Sequence, residues 1–191
     1  MIAIAKDFAI NAHAKVSHYY DKRSYAFHLE LASIIADSFQ EVIEKFAKFT
    51  IVEQAVWLHD TIEDCRLTYN DLNAEFGAWV AEVVYLVADE KGRNRKERHN
   101  HKYYTGIASM EEAIVVKLCD NIANVLYSCY TSSSMFKKYK SEYAEIKQYL
   151  YREELKSMFD FLESVYDSNQ LSEYWIGIIK SLETKYPQVF L

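Results

Sequence analysis

The sequence predicts an all-α protein, and three observations carry that prediction. Only 4 glycines and 1 proline occur among 191 residues, which leaves little chain for tight turns. Apolar residues recur at helical spacing in one segment after another, with no strand-like alternation, internal repeat or low-complexity run. Half the residues are hydrophobic and 15% are aromatic, including 16 tyrosines, enough to fill a sizeable core in one domain of this length.

Residues 3–18 carry Ile4, Phe8, Ala9, Ala12 and Val16 on one helical face, with His13 either packed within it or turned towards a site. Residues 18–24 break the pattern and read as a polar loop holding Lys22 and Arg23. A second helix starts near Tyr25 and runs through Leu31, Ile34 and Ile35, with His28 in its first turn. A third is expected from Ser38 to Phe49, with Val42, Ile43 and Phe46 as its apolar face. A central helix follows over 51–62. Thr68 with Asp71 forms a capping-box signal for the next one, and Gly77 a C-cap. Trp79 to Ala88 is strongly apolar and reads as buried. Lys91 to Arg98 is the dense basic cluster of the chain, either a solvated loop and helix start or a phosphate clamp. His99 and His101, spaced i, i+2, read as surface residues. Ser109 and Glu112 form a second capping-box signal, opening a long helix from about Met110 to Tyr127. Beyond the run Thr131 to Ser134, helices are expected near 135–155, 157–167 and 171–185, ended by Pro187. This tail carries no chemistry, and its readings are packing, a lid, or a surface for a second copy of the chain.

A net charge of −6 argues against a general nucleic-acid surface, so an anionic ligand has to meet a local basic patch. The three cysteines, Cys65, Cys119 and Cys129, are odd in number and lack a CxxC spacing, which fits reduced thiols in a cytoplasm. No signal peptide or membrane-spanning stretch is expected.

Two features are costly as pure structure. In Ala55 to Asp64 an apolar run delivers His59 and Asp60, with Glu63 and Asp64 one turn later. On a continuous helix His59 and Glu63 share one face, and Asp60 and Asp64 the adjacent one. Buried carboxylates need partners, and a divalent cation also suits an imidazole; the alternative is an exposed, solvated helix end. The second feature is Asp120, which with Lys117 interrupts the stripe of Ile114, Val115, Leu118, Ile122, Val125 and Leu126, with Asn124 one turn on. It is either a site residue or half of an internal Lys117–Asp120 ion pair.

Assembled, His28, His59, Asp60 and Asp120 make an N2O2 donor set drawn from three helices. That set fits Mn, Fe, Co or Zn better than Mg or Ca, which prefer oxygen alone. Four protein donors leave positions for water and substrate, and Glu63 and Asp64 stand ready to orient or deprotonate that water. No Gly-rich phosphate loop, nucleophile elbow or dinucleotide fingerprint is present.

The order His28…His59-Asp60…Asp120 on a helical background resembles the HD superfamily of metal-dependent phosphohydrolases. Within it, the run Leu58 to Asp64, the following Leu67-Thr68…Phe76-Gly77 and Val116 to Asp120…Asn124 are similar to the hydrolase domain of the RelA/SpoT family. Small alarmone hydrolases, metazoan SpoT homologues among them, are its stand-alone form. Phe8-Ala9…His13 and Tyr25-x-x-His28 also follow that family's opening, so the resemblance covers roughly residues 3–130. It implies one HD-domain helical bundle over 1–191, with the core motifs in 3–130 and a helical tail over 131–191. It further implies that His28, His59, Asp60 and Asp120 hold one divalent ion, Mn(II) foremost and Fe(II), Co(II) or Zn(II) otherwise. Glu63 and Asp64 would act on the hydrolytic water and Asn124 on the nucleotide. Lys22, Arg23, Arg95, Arg98 and Lys117 would hold phosphates. The implied reaction is removal of the 3′-pyrophosphate from guanosine tetra- or pentaphosphate; other nucleotides, or binding without turnover, are the alternatives. The chain departs from the family where the nucleotide is held. Residues 17–24 lack the usual Gln-x-Arg-x-x-Gly, Leu29 replaces proline after the first histidine, and Asn121 and Ala123 replace a basic residue and a histidine.

Overall fold

In the computed structural model, residues 1–189 are described. The chain opens with α1 (Ile2–Lys15) and a short antiparallel hairpin, β1 (Tyr19–Tyr20) and β2 (Arg23–Ser24). Then come α2 (Ala26–Ser38), α3 (Gln40–Ile43), α4 (Phe49–Leu58), α5 (Thr61–Asp64), α6 (Tyr69–Phe76) and α7 (Ala78–Val87). The second half holds α8 (Arg95–Arg98), α9 (His101–Ala108), α10 (Glu111–Tyr130), α11 (Ser134–Leu150), α12 (Lys156–Ser168) and α13 (Glu173–Lys185).

The centre of the bundle is α10. It is buried nearly all round, as a helix at the middle of a core must be. It packs on α2, α4, α7, α9, α11 and α12, and α2 and α4 also pack on each other. That three-way contact brings together the positions 28, 59 and 120. The tail joins the same hydrophobic cluster through Phe136, Ile146, Leu150, Met158, Phe159 and Leu162, so part of its role is packing.

The all-α expectation holds, and the local departures have physical causes. The 18–24 loop is a hairpin because Asp21 and Lys22 both take positive φ, 48° and 62°, as a tight hairpin turn requires. The expected helix from Ser38 to Phe49 shrinks to the four residues of α3. Lys48 is extended, and its amide donates to the Glu112 carboxylate at 3.1 Å, which starts α4 afresh at Phe49. Glu112 is thereby taken from its expected capping box. Ser109 instead closes α9, its hydroxyl donating to the Gly106 carbonyl at 2.6 Å, so the second box does not form. The Thr68–Asp71 box does form, in both directions, and Gly77 follows at φ 84°. The central helix is interrupted at His59 and Asp60, where Asp60 takes φ −96° and ψ 1° before α5 begins. His99 is buried rather than on the surface, while His101 is exposed as expected. In α7 the valines are buried, but Trp79 and Tyr85 face outwards, and the Lys48 ammonium sits 3.4 Å from the centre of the Trp79 ring.

No helix among the described residues is long and apolar enough to cross a membrane.

Candidate metal centre

His28 is fully buried in the first turn of α2, and His59 is buried at the end of α4. Their Nε2 atoms stand 3.3 Å apart. The Asp60 Oδ2 lies 3.0 Å from His59 Nε2 and 3.9 Å from His28 Nε2. The Asp120 Oδ1 lies 3.3 Å from His28 Nε2 and 3.8 Å from His59 Nε2. His28, His59 and Asp60 form the tightest group, with one donor atom each within 4.8 Å of the others, and Asp120 closes on both imidazoles. Donors bound about 2.1 Å from one ion stand about 3 Å apart when adjacent and about 4 Å apart when opposed, so the His28, His59 and Asp60 atoms fit around a single divalent cation, with Asp120 Oδ1 within 3.3 and 3.8 Å of the two imidazoles. The second ring nitrogen fits as well: His59 Nδ1 donates to the Val56 carbonyl at 2.8 Å, so Nε2 is the nitrogen that faces the other donors and is free to ligate once the ring is neutral.

The electrostatics agree with a cation-seeking site. Burial alone would lower the His59 pKa, but Asp60 and Asp120 outweigh it and raise the imidazole to about 9. A proton on this ring stands where a metal's charge would. Asp60 is held far below the usual carboxylate range despite its burial, chiefly by His59, and Asp120 likewise, chiefly by Lys117. Each carboxylate is also oriented from outside the group. The Tyr25 hydroxyl donates to Asp60 Oδ2. Lys117 Nζ donates to Asp120 Oδ2 at 2.9 Å and Asn124 Nδ2 to Asp120 Oδ1 at 2.6 Å. The expected Lys117–Asp120 ion pair is present, and Asp120 Oδ1 also faces both imidazoles. His13 is packed behind the site, stacked on Tyr25 and pushed down to about 3 by burial.

Glu63 and Asp64 sit in α5, just past the donor set. Glu63 Oε2 accepts the Asp89 amide at 3.3 Å, and partial burial, Asp89 and Asp60 raise its pKa. Asp89 is itself clamped by the buried His99 at 2.7 Å and by Arg98 at 3.3 Å. Burial, then Asp60 and Glu63, push Asp64 up to about 7; His18 Nδ1 is 3.6 Å from it. The sign of the linkage follows. The folded protein holds a proton on Asp64 that the unfolded chain releases near pH 4, so this group destabilises the fold progressively from about pH 4 to about pH 7. Asp64→Asn is expected to raise the thermal midpoint of metal-free protein at pH 8 by a few degrees, roughly the effect of 1 kcal/mol, and to leave it unchanged at pH 4. Equal midpoints at pH 8 would remove the burial strain assigned to Asp64.

The basic candidates are placed less uniformly. Lys117 touches the donor set, while Lys22 is exposed at the hairpin turn. Arg23 is bound to Glu183 at 2.6 Å, Arg95 to Glu142 at 2.9 Å and Arg98 to Asp89. Two residues that sequence patterns did not single out as part of the site belong to its wall. Tyr25 lies one turn before His28, a spacing visible in the sequence. Tyr20 lies in the hairpin, with its ring stacked on His28 at 4.9 Å and its hydroxyl donating to Asn124 Oδ1 at 3.1 Å. Beyond it opens a cavity of about 350 Å³ lined by Tyr20, Asp21, Asn124, Tyr127, Thr131 and Tyr139, within the range of small-ligand sites.

No family model matches the chain. Among curated proteins it is similar to the guanosine-3′,5′-bis(diphosphate) 3′-pyrophosphohydrolase MESH1 of Danio rerio, 38% identical over 74 residues, covering 39% of this chain and 41% of that protein. The Homo sapiens counterpart is 36% identical over 75 residues, covering 39% and 42%. A guanosine-3′,5′-bis(diphosphate) 3′-pyrophosphohydrolase of Vibrio cholerae is 41% identical over 78 residues, covering 38% of this chain and 11% of that protein. The matched stretch thus spans about two fifths of the metazoan relatives. Among solved structures, one described as "A metazoan ortholog of SpoT hydrolyzes ppGpp and plays a role in starvation responses" aligns with a TM-score of 0.53 at 17% identity, over 96% of this chain and 94% of that one. The all-helical fold is shared along nearly the whole length.

Proposed function

We propose that the protein is a metal-dependent phosphohydrolase that removes the 3′-pyrophosphate from guanosine tetra- or pentaphosphate, giving GDP or GTP and pyrophosphate. One observation carries the reading: the Nε2 atoms of two imidazoles each lie within 3.0–3.9 Å of two carboxylates, with two acids of raised pKa just beyond His59 and Asp60 in the chain. The activity printed for the curated relatives supports the choice of substrate. We assign the whole of 1–191 to one HD domain, a reading supported by the single buried cluster from α1 to α13.

His28, His59, Asp60 and Asp120 would hold one divalent ion; the mixed nitrogen and oxygen set suits Mn(II), Fe(II), Co(II) or Zn(II), and the family resemblance puts Mn(II) first. When bound, the ion acidifies water and offsets charge developing on phosphorus. Glu63 takes the proton of the attacking water at Oε1, since Oε2 is engaged by the Asp89 amide. The water oxygen forms its bond to phosphorus as the bond to the 3′ oxygen breaks. Asp64, which ionises near neutrality, is suited to return a proton to that oxygen. Lys117 and Asn124 keep Asp120 Oδ1 turned towards the imidazoles. The cavity beyond Tyr20 is of a size to take the nucleoside.

The test is release of phosphate and pyrophosphate, with Mn(II) added, from ppGpp, GTP, dNTPs, nucleoside monophosphates and NADPH. Pyrophosphate from ppGpp alone is the expected result. Activity confined to another nucleotide would overturn the substrate and keep the chemistry; silence across the panel with metal bound would overturn the enzyme.

A further inference from the structure

The hairpin that carries Tyr20 is not self-supporting. Its strands are two residues long, and a hairpin of that length has no stability of its own. Ser17, Asp21 and Lys22 all lie in the left-handed region, at φ 53°, 48° and 62°, a conformation that side chains other than glycine adopt only when their surroundings compel it. Part of the constraint comes from α10, whose Tyr127 hydroxyl donates to Asp21 Oδ2 at 2.6 Å, and the rest comes from the far end of the chain. Glu183 in α13 accepts Arg23 Nη2 at 2.6 Å across 160 residues of sequence, and its other oxygen accepts the Tyr130 hydroxyl at 3.1 Å. The two charged side chains are 11% and 24% exposed, which separates this pair from a solvated surface contact. The Val189 amide donates to the Lys22 carbonyl at 2.8 Å, and Gln188 Nε2 to the Asp21 carbonyl at 3.3 Å. Lys185 and Tyr186 bind Glu30, two residues beyond His28 in α2.

We propose that Glu183 is a positioning residue: through Arg23 it holds the hairpin in place, so that Tyr20 stays against His28 and Asn124 and closes one wall of the ligand cavity. Arg23 is then a structural link between the tail and the site rather than a phosphate ligand. The geometric half of this inference stands alone; its effect on substrate rests on the function proposed above.

The experiment uses full-length Glu183→Ala, Glu183→Gln and Arg23→Ala. Amide hydrogen exchange over 19–24, measured on metal-free protein, is expected to be about tenfold faster in Glu183→Ala and Arg23→Ala, with Glu183→Gln, which keeps an acceptor, in between. Bound Mn(II) stays stoichiometric in all three. With ppGpp as substrate, KM rises about tenfold in Glu183→Ala while kcat stays within about threefold, the pattern of lost binding-site order rather than lost chemistry. Exchange over 19–24 equal to wild type in both Glu183 variants overturns the proposal. So does a loss of activity in Arg23→Ala that Glu183→Ala does not share, which would make Arg23 a direct phosphate contact. Where Glu183→Ala fails to fold, Glu183→Gln decides. A wild-type protein inactive on ppGpp would sink the proposed reaction, and the exchange measurement would still judge the positioning role.

Discussion

Asp60→Ala is expected to abolish stoichiometric binding of Mn(II), with affinity falling by more than about 10²-fold, the upper end of what loss of even an outer-shell partner costs a metal site. Asp60 is the carboxylate nearest the imidazoles, 3.0 Å from His59, and the acceptor of the Tyr25 hydroxyl. Its removal takes away one donor, half of the negative charge that draws a cation in, and the anchor of a buried tyrosine. His59→Ala should do the same by removing an imidazole from the centre of the set. Metal content after dialysis, with a calorimetric titration, measures this directly; full stoichiometry in both variants would sink the ligand assignment. With Asp60 and Asp120 raising the His59 pKa to about 9, metal uptake by the wild type is expected to release a proton near neutral pH.

Glu63→Gln is expected to leave metal binding intact and to lower kcat by about 10²-fold or more, the usual contribution of a positioned general base. Glutamine preserves the acceptor for the Asp89 amide and the shape of the side chain, so structure and substrate binding should change little. What it loses is the basic oxygen, whose pKa is raised by burial, Asp89 and Asp60, towards the range in which a base works at neutral pH. Single-turnover rates on ppGpp isolate this step from product release. A wild-type rate would remove Glu63 from the mechanism.

What was legible in the sequence was local or costly. The scarcity of glycine and proline announced a helical protein. The Thr68–Asp71 box and Gly77 marked α6 correctly because all their partners lie within one turn. His59-Asp60 and Asp120 stood out as charges in apolar surroundings, and they meet because α2, α4 and α10 pack on one another. What was not legible depended on distant partners. Nothing near Lys48 foretells that Glu112 will accept its amide, shorten one helix and undo a capping box. Asp21-Lys22 lacks the Asn-Gly signature of a hairpin turn, and it is held in that turn by Tyr127 and by residues 188 and 189. Nothing near Arg23 and Arg95, expected as phosphate ligands, foretells that Glu183 and Glu142 will reach them from the tail. His99 read as a surface residue because the partner that buries it, Asp89, precedes it by a loop.

The hydrogen bond between Lys48 and Glu112 has a reach beyond the turn it caps. Lys48 stands at the head of α4 and His59 at its foot; Glu112 stands near the head of α10, two turns above Asp120. At 1.5 Å per residue the two helices are pinned together about 12 to 16 Å from the place where their donors must meet. The pin acts as a pivot, and a small angular slip there is magnified along both arms into a change of spacing at the far end. A single carboxylate at the opposite end of the bundle thus bears on the spacing of the proposed donors without touching any of them.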